Sequence, residues 1–282
     1  MDIQTFMTSD GRTLQSYDTD PTGQSQLTVF WHHGTPNIGA PPEPLFTRSA
    51  HLGIRWISCD RPGYGGSARM PGRDVAHIAQ DVAFITQRLS IERFAVMGHS
   101  GGGPHALACA ALLPDQVLAA VSVAGLAPFG VGDLQYFDGM YPGGRAELQA
   151  ATQGASALAR VLEVDEFDPQ MFTSQDHDAL QGPWTWLNTV VGPALEHGPG
   201  GMIDDDLAYV HPWGFTPEHI RVPLLLHHGM SDQIVPVSHA LWLKKHVPHA
   251  ALFTSPDDGH ISILNQSVMA LDWLSQQQGE QR

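Results

Sequence analysis

The sequence predicts an α/β domain: a mostly parallel eight-stranded sheet with helices on both faces, interrupted once by an inserted helical cap. Three observations carry that expectation. Nearly unbroken apolar runs such as 94–97, 118–123 and 223–226 alternate with longer stretches of helical apolar spacing, and strands apolar at every position are those buried between two helix layers. The alternation lapses between Pro128 and Trp213, where Gly, Pro, Trp and acidic residues dominate. The 282 residues suffice for one large domain carrying an insertion. The expected division is therefore a core of 1–127 and 214–282 and a cap of 128–213.

Taken in order, residues 3–7 and 12–18 alternate in polarity around Ser9-Asp10-Gly11, the pattern of an antiparallel hairpin at a sheet edge. Residues 27–33 form a third strand ending in His33-Gly34-Thr35-Pro36, a turn that leaves a backbone N–H free beside the strand end, with Thr35 as the candidate donor. A short helix over 43–52 and a strand over 54–59 follow. The loop Asp60 to Ser67 is dense in turn residues and reads as architecture. Val75, Ile78, Ala79, Val82, Ile85 and Leu89 recur at helical spacing, predicting a helix over 74–89 capped by Asp74. The strand 94–97 then runs through a glycine-crowded turn into an alanine-rich helix that stops at Pro114. The strand 118–123 closes the first half. Inside the insertion the clearest helical pattern covers 146–162. A strand over 223–228, a helix over 237–247, a strand from 251 and an amphipathic helix over 261–274 complete the chain.

Gly98-His99-Ser100-Gly101-Gly102 fits G-x-S-x-G, in which the flanking glycines permit a sharp strand-to-helix turn that presents the serine hydroxyl at the end of a sheet. The helix that follows aims its N-terminal N–H groups at negative charge developing there. A serine hydroxyl is a weak nucleophile on its own and needs a histidine held by a carboxylate. Asp232, just past one late strand, and His260, just past the next, fit those roles, because parallel strands end on a common edge. Asp204, Asp205, Asp206, Asp257 and Asp258 are rival acids, but only Asp232 lies in the loop after the penultimate strand. Phe129, Tyr136, Phe137, Met140, Trp184 and Trp186 of the cap are candidates to floor a substrate pocket. Each, taken singly, fits the cap's own core better.

Composition excludes several classes. With 29 acidic against 14 basic residues and a formal charge of −15, the chain repels nucleic acid and anionic lipid surfaces, so neither is an expected partner. No run of 18 apolar residues and no basic-then-apolar leader is present, so no membrane association and a cytoplasmic location are expected. Two cysteines, Cys59 and Cys109, read as small buried hydrophobes rather than a disulfide framework. Of the 16 histidines, the pairs His32-His33 and His227-His228 lie in strands where neighbours face opposite ways, and no H-E-x-x-H, paired C-x-x-C or phosphate-loop motif occurs. No metal site is expected. Nothing in the sequence sets an oligomeric state.

With His33-Gly34-Thr35-Pro36, Gly98 to Gly102, the Asp232 loop and Gly259-His260 in that order, the chain resembles the α/β-hydrolase fold serine hydrolases, in their capped, esterase-like branch. The resemblance covers nearly the whole chain outside the cap, and the loop Asp60 to Ser67 is similar to the family's turn after its fourth strand. It implies acyl transfer from a small-molecule substrate to water: Ser100 attacks a carbonyl, His260 moves the proton, Asp232 fixes the imidazole tautomer, and the N–H groups of Thr35 and Gly101 hold the oxyanion. No cofactor is implied. Haloalkane dehalogenases and epoxide hydrolases carry aspartate where Ser100 stands, and proline iminopeptidases usually show His-Gly-Gly-Pro-Gly where this chain has His33-Gly34-Thr35-Pro36-Asn37. Hydrolysis of carboxylic esters with small to medium apolar acyl groups therefore ranks first. Amide or aminopeptidase chemistry and carbon–carbon bond hydrolysis follow, and from a different class a hydrolase-fold ligand receptor with little turnover.

Overall fold

The computed structural model describes residues 1–164 and 167–280. Eight strands form one sheet in the order β1-β2-β4-β3-β5-β6-β7-β8. β1 (Asp2–Met7) and β2 (Thr13–Asp18) pair antiparallel as the expected edge hairpin, and β2 is antiparallel to β4 (Ile54–Cys59). β4, β3 (Leu27–His32), β5 (Phe94–His99), β6 (Val117–Val123), β7 (Leu224–Gly229) and β8 (Ala251–Ser255) pair parallel.

The unbroken apolar runs become strands buried on both sides, and strand alternation divides them between two cores. Phe30, Phe94 and Val96 face a core shared with α2 (His77–Arg88), α3 (Gly102–Leu112) and α9 (Ser238–His246). Val29, Trp31, Ala95 and Met97 face the other, shared with α1 (Phe46–Leu52) and α10 (Ser267–Glu280). Cys59 and Cys109 are buried and free. Among the described residues no helix is long and apolar enough to cross a membrane.

Three helix expectations need correction. The helix expected over 74–89 begins at His77, because Asp74 Oδ1 accepts the His77 N–H at 3.0 Å and holds the intervening residues in a turn. The single pattern over 146–162 is two helices, α4 (Pro142–Ala151) and α5 (Ala155–Leu162), broken at Gly154. The closing helix starts as a 3-10 turn, Ser262–Gln266, before α10. Between β6 and β7 the chain also forms α6 (Ser174–Gln181), α7 (Leu187–Ala194) and α8 (Gly200–Tyr209).

Candidate active site

The loops after β3, β5, β7 and β8 leave the sheet on the edge where the parallel strands end, and they carry Thr35, Ser100, Asp232 and His260. Ser100 has φ +55°, left-handed backbone that a side-chain-bearing residue rarely adopts. The turn closes because its glycines admit backbone at close range. A Cβ on Gly98 would fall 2.1 Å from the Gly102 carbonyl oxygen, and one on Gly102 would fall 2.0 Å from that of His32. Ser100 is half-buried.

Asp232 and His260 meet directly: His260 Nδ1 donates to Asp232 Oδ2 at 2.8 Å, which leaves Nε2 as the nitrogen that can take up a proton. The other Asp232 oxygen accepts the N–H groups of Ile234 at 2.8 Å and Val235 at 2.9 Å. Burial works against both charges. The imidazole nevertheless holds Asp232 below the usual carboxylate range, and the carboxylate raises His260 above the ordinary histidine value. Ser100 joins this pair through its neighbour, since His99 Nε2 donates to the His260 carbonyl at 3.0 Å. Among the described residues no hydrogen bond links Ser100 Oγ to His260; such contacts are often long until substrate binds.

Thr35 and Gly101 lie side by side. A Cβ on Gly101 would fall 2.5 Å from Thr35 Oγ1 and 2.3 Å from the Tyr209 hydroxyl. Among the described residues, neither backbone N–H donates to another protein group.

Of the rival acids, Asp205 is fully buried in α8, where it accepts from Arg61, Arg73, the Tyr64 hydroxyl and the Thr35 hydroxyl. Asp204 is paired with Arg69 at 2.8 Å, Asp206 is buried, and Asp257 is exposed. Asp258 is half-buried, and among the described residues none of these acids is hydrogen-bonded to or ion-paired with the His260 ring, whose carboxylate partner is Asp232. In the loop Asp60 to Ser67, Asp60 accepts from Gly39 N, Gly66 N, the Tyr17 hydroxyl and Gln15, while Arg61 also donates to the Thr35 hydroxyl oxygen.

The aromatic and sulfur residues proposed for a pocket pack into the two cores. Tyr136 and Met140 are buried in the first, with Phe129 and Phe137 partly buried against it. Trp184 and Trp186 are buried in the second. Sequence reasoning missed Asp176 of α6, whose carboxylate binds the backbone that carries His260. The local Thr173-x-x-Asp176 spacing marks only a helix start, and nothing local points to the histidine loop, whose donors lie far along the chain.

Comparison with known proteins agrees with this architecture. Residues 28–266 match the family model described as the alpha/beta hydrolase fold. The chain is 30% identical to a non-heme chloroperoxidase of Streptomyces lividans, over 94% of this chain and 98% of that protein. It is 25% identical to a bifunctional esterase/perhydrolase of Acinetobacter calcoaceticus, over 81% and 82%. The solved structure of a thermophilic esterase from Thermogutta terrifontis superposes with a TM-score of 0.71 at 18% identity, covering 99% of this chain and 100% of that one. With a match across most of its length, and with the strand order and strand-end loops described above, this chain belongs to the alpha/beta hydrolase fold family.

Proposed function

We propose that the protein hydrolyses carboxylic esters with small to medium apolar acyl groups through a Ser100-His260-Asp232 triad. The observation that carries this reading is the strained Ser100 turn at the same sheet edge as a hydrogen-bonded Asp232–His260 pair. Ser100 Oγ attacks the ester carbonyl while His260 Nε2 takes the hydroxyl proton. The N–H groups of Thr35 and Gly101 receive the developing oxyanion, an interaction type worth about 2.7–4 kcal/mol in kcat. The tetrahedral intermediate collapses, His260 returns the proton to the departing alkoxide, and an acyl-enzyme remains. Water then attacks with His260 again as base, releasing the acid and restoring Ser100. Asp232 stays ionised and fixes the ring so that Nε2 faces the serine. The segment 128–213 acts as the cap, and the two buried thiols fit a reducing, cytoplasmic setting.

A second reading rests on the relatives whose names include perhydrolase and chloroperoxidase. In it hydrogen peroxide replaces water as the acceptor, so the acyl-enzyme yields a peracid and free Ser100.

Labelling with a fluorophosphonate, together with turnover of p-nitrophenyl esters of graded acyl length, tests both. Ser100→Ala should fold normally, lose labelling, and lose turnover by about four orders of magnitude or more. Unchanged steady-state turnover in the purified variant would end the triad reading. Peroxide-dependent peracid formation outpacing hydrolysis would favour the second acceptor.

A further inference from the structure

Asp176 lies in α6, within the 128–213 segment, yet its bonds run to the loop after β8. It is 1% exposed. Its Oδ1 accepts the N–H of Ile261 at 2.8 Å, the N–H of Ser262 at 2.7 Å and the Ser262 hydroxyl at 2.9 Å. Its Oδ2 accepts the N–H of His260 at 3.3 Å and, from its own helix start, the N–H of Thr173 at 3.1 Å. Every partner is a donor, so the site is built for the ionised carboxylate. Three successive backbone N–H groups turned toward one anion form a nest, which fixes the local backbone more tightly than isolated loop contacts.

The same contact explains the residue before the histidine. A Cβ on Gly259 would fall 2.2 Å from Asp176 Oδ2, so only glycine lets the carboxylate reach the backbone here. Gly259 N in turn donates to Ser262 Oγ at 2.7 Å, and that hydroxyl donates on to Asp176, closing a small ring of bonds around the His260 backbone. The anchor on the α6 side is firm as well. Thr173 Oγ1 accepts the Asp176 N–H at 3.1 Å while Asp176 accepts from Thr173 N, a reciprocal capping box.

We propose that Asp176 is a positioning residue for His260: by clamping the 260–262 backbone from the 128–213 segment, it holds the imidazole against Asp232 and toward Ser100. The proposal rests on the triad reading. It makes the insertion a structural part of the histidine loop and not solely a cover over the site. The titratable groups facing His260 are Asp232 from the loop after β7, Asp176 from α6 and His99 from β5. His228 of β7 sits 3.5 Å from Asp232. Burial pushes His99 down to about 3, so it brings no charge near neutral pH, while both carboxylates favour the imidazolium.

Asp176→Asn tests this, because it keeps the size but turns an NH2 group toward N–H donors. With the variant folded by circular dichroism, kcat/KM for a p-nitrophenyl ester should fall about 10- to 100-fold, carried by kcat, as expected for a displaced catalytic group. The acid limb of kcat/KM should move to lower pH, since a negative charge beside His260 is gone. The low-field proton signal of His260 Nδ1–H should shift or broaden. A folded Asp176→Asn with kcat/KM within about twofold of the parent, an unmoved acid limb and an unchanged low-field signal overturns the proposal. If Asp176→Asn does not fold, Ser262→Ala carries the test by removing one hydroxyl from the ring of bonds. A several-fold drop in kcat with a shifted low-field signal supports the clamp, and parental values for both overturn it. Failure of the triad reading is seen separately, as ester turnover surviving Ser100→Ala.

Discussion

Asp205→Asn is the substitution whose cost the structure sets most directly. The carboxylate accepts from Arg61 Nη2 at 2.7 Å, Arg73 Nη2 at 2.7 Å, the Tyr64 hydroxyl at 2.8 Å and the Thr35 hydroxyl at 2.8 Å. The side chains of Asp205, Arg61 and Arg73 are 0%, 1% and 2% exposed, so water screens neither ion pair. Asparagine preserves the volume but removes the charge, leaving two guanidinium groups buried without their counter-ion. Breaking a buried pair in this way costs about 3–5 kcal/mol. At about 2–4 °C per kcal/mol for a domain of this class, Tm should fall by about 10 °C. Burial opposes ionisation of Asp205, but the two arginines hold its pKa well below the ordinary value. Its contribution is therefore present above the unfolded carboxylate pKa and is lost as pH falls through the folded value. Thermal unfolding by calorimetry at neutral pH is the assay. The Thr35 hydroxyl donates to the Asp205 oxygen that Arg61 and Tyr64 also bind, so loosening this cluster disturbs the Thr35 loop and kcat for ester hydrolysis should fall too. A Tm within about 2 °C of the parent would refute the reasoning, since it would mean that the arginines find other partners at no cost.

Trp184 is 2% exposed and packs in the second core, so Trp184→Ala should cost about 3–5 kcal/mol and depress turnover alike for every acyl length. A selective loss for long acyl chains at unchanged Tm would instead put Trp184 in the substrate pocket. Burial holds His32, His33, His99, His105, His227 and His239 below the ordinary histidine pKa, with His99 and His105 at about 3 and His227 and His239 at about 4. The unfolded chain binds protons at these sites from about pH 6.5 downward while the folded chain does not, so each site removes about 1.4 kcal/mol per pH unit below that point. Calorimetry between pH 7.5 and 5, a window chosen to span the roughly 6.5 titration point, should show Tm falling steeply on the acid side, and a flat profile would contradict it.

The elements that sequence reading recovers best are those whose environment is uniform along their length. β5 and β6 are buried at every position, so their apolar runs are nearly unbroken and legible. The edge strand β8 is half-exposed and its pattern is weaker: the apolar run stops at Phe253, although the strand extends to Ser255. α4 opens Pro142-Gly143-Gly144: proline suits the first helical position, but the two glycines have low helix preference, and the helix is held by packing against α5 and α8. The Ser100 turn is legible because its steric demands fall on neighbours in sequence. The Asp205 cluster is not: its partners lie 144, 132, 141 and 170 residues away at Arg61, Arg73, Tyr64 and Thr35. The three aspartates 204–206 read only as rival acids until the tertiary structure supplies the arginines. Asp176 is hidden for the same reason, with Ser262 86 residues distant.

Two buried histidines near carboxylates show why one of them suits proton transfer. His105 Nε2 stands 3.9 Å from Asp205 Oδ1, yet its pKa is pushed down to about 3 by burial and by the arginines Arg61 and Arg73, which outweigh the pull of the carboxylate. The charge of Asp205 is already taken up by two guanidinium groups. Asp232 is placed differently: its partners are two backbone N–H groups and two histidine rings, His228 and His260, and no arginine or lysine contacts it among the described residues. Its negative charge is left for His260 at 2.8 Å, and it raises that ring's pKa despite full burial. Both rings are buried, so burial alone does not separate them. What separates them is whether a permanent cation competes for the carboxylate. The cluster at Asp205 spends its charge on holding α8 to the Thr35 loop, whereas the charge of Asp232 is left for an imidazolium at His260, as the proposed triad requires.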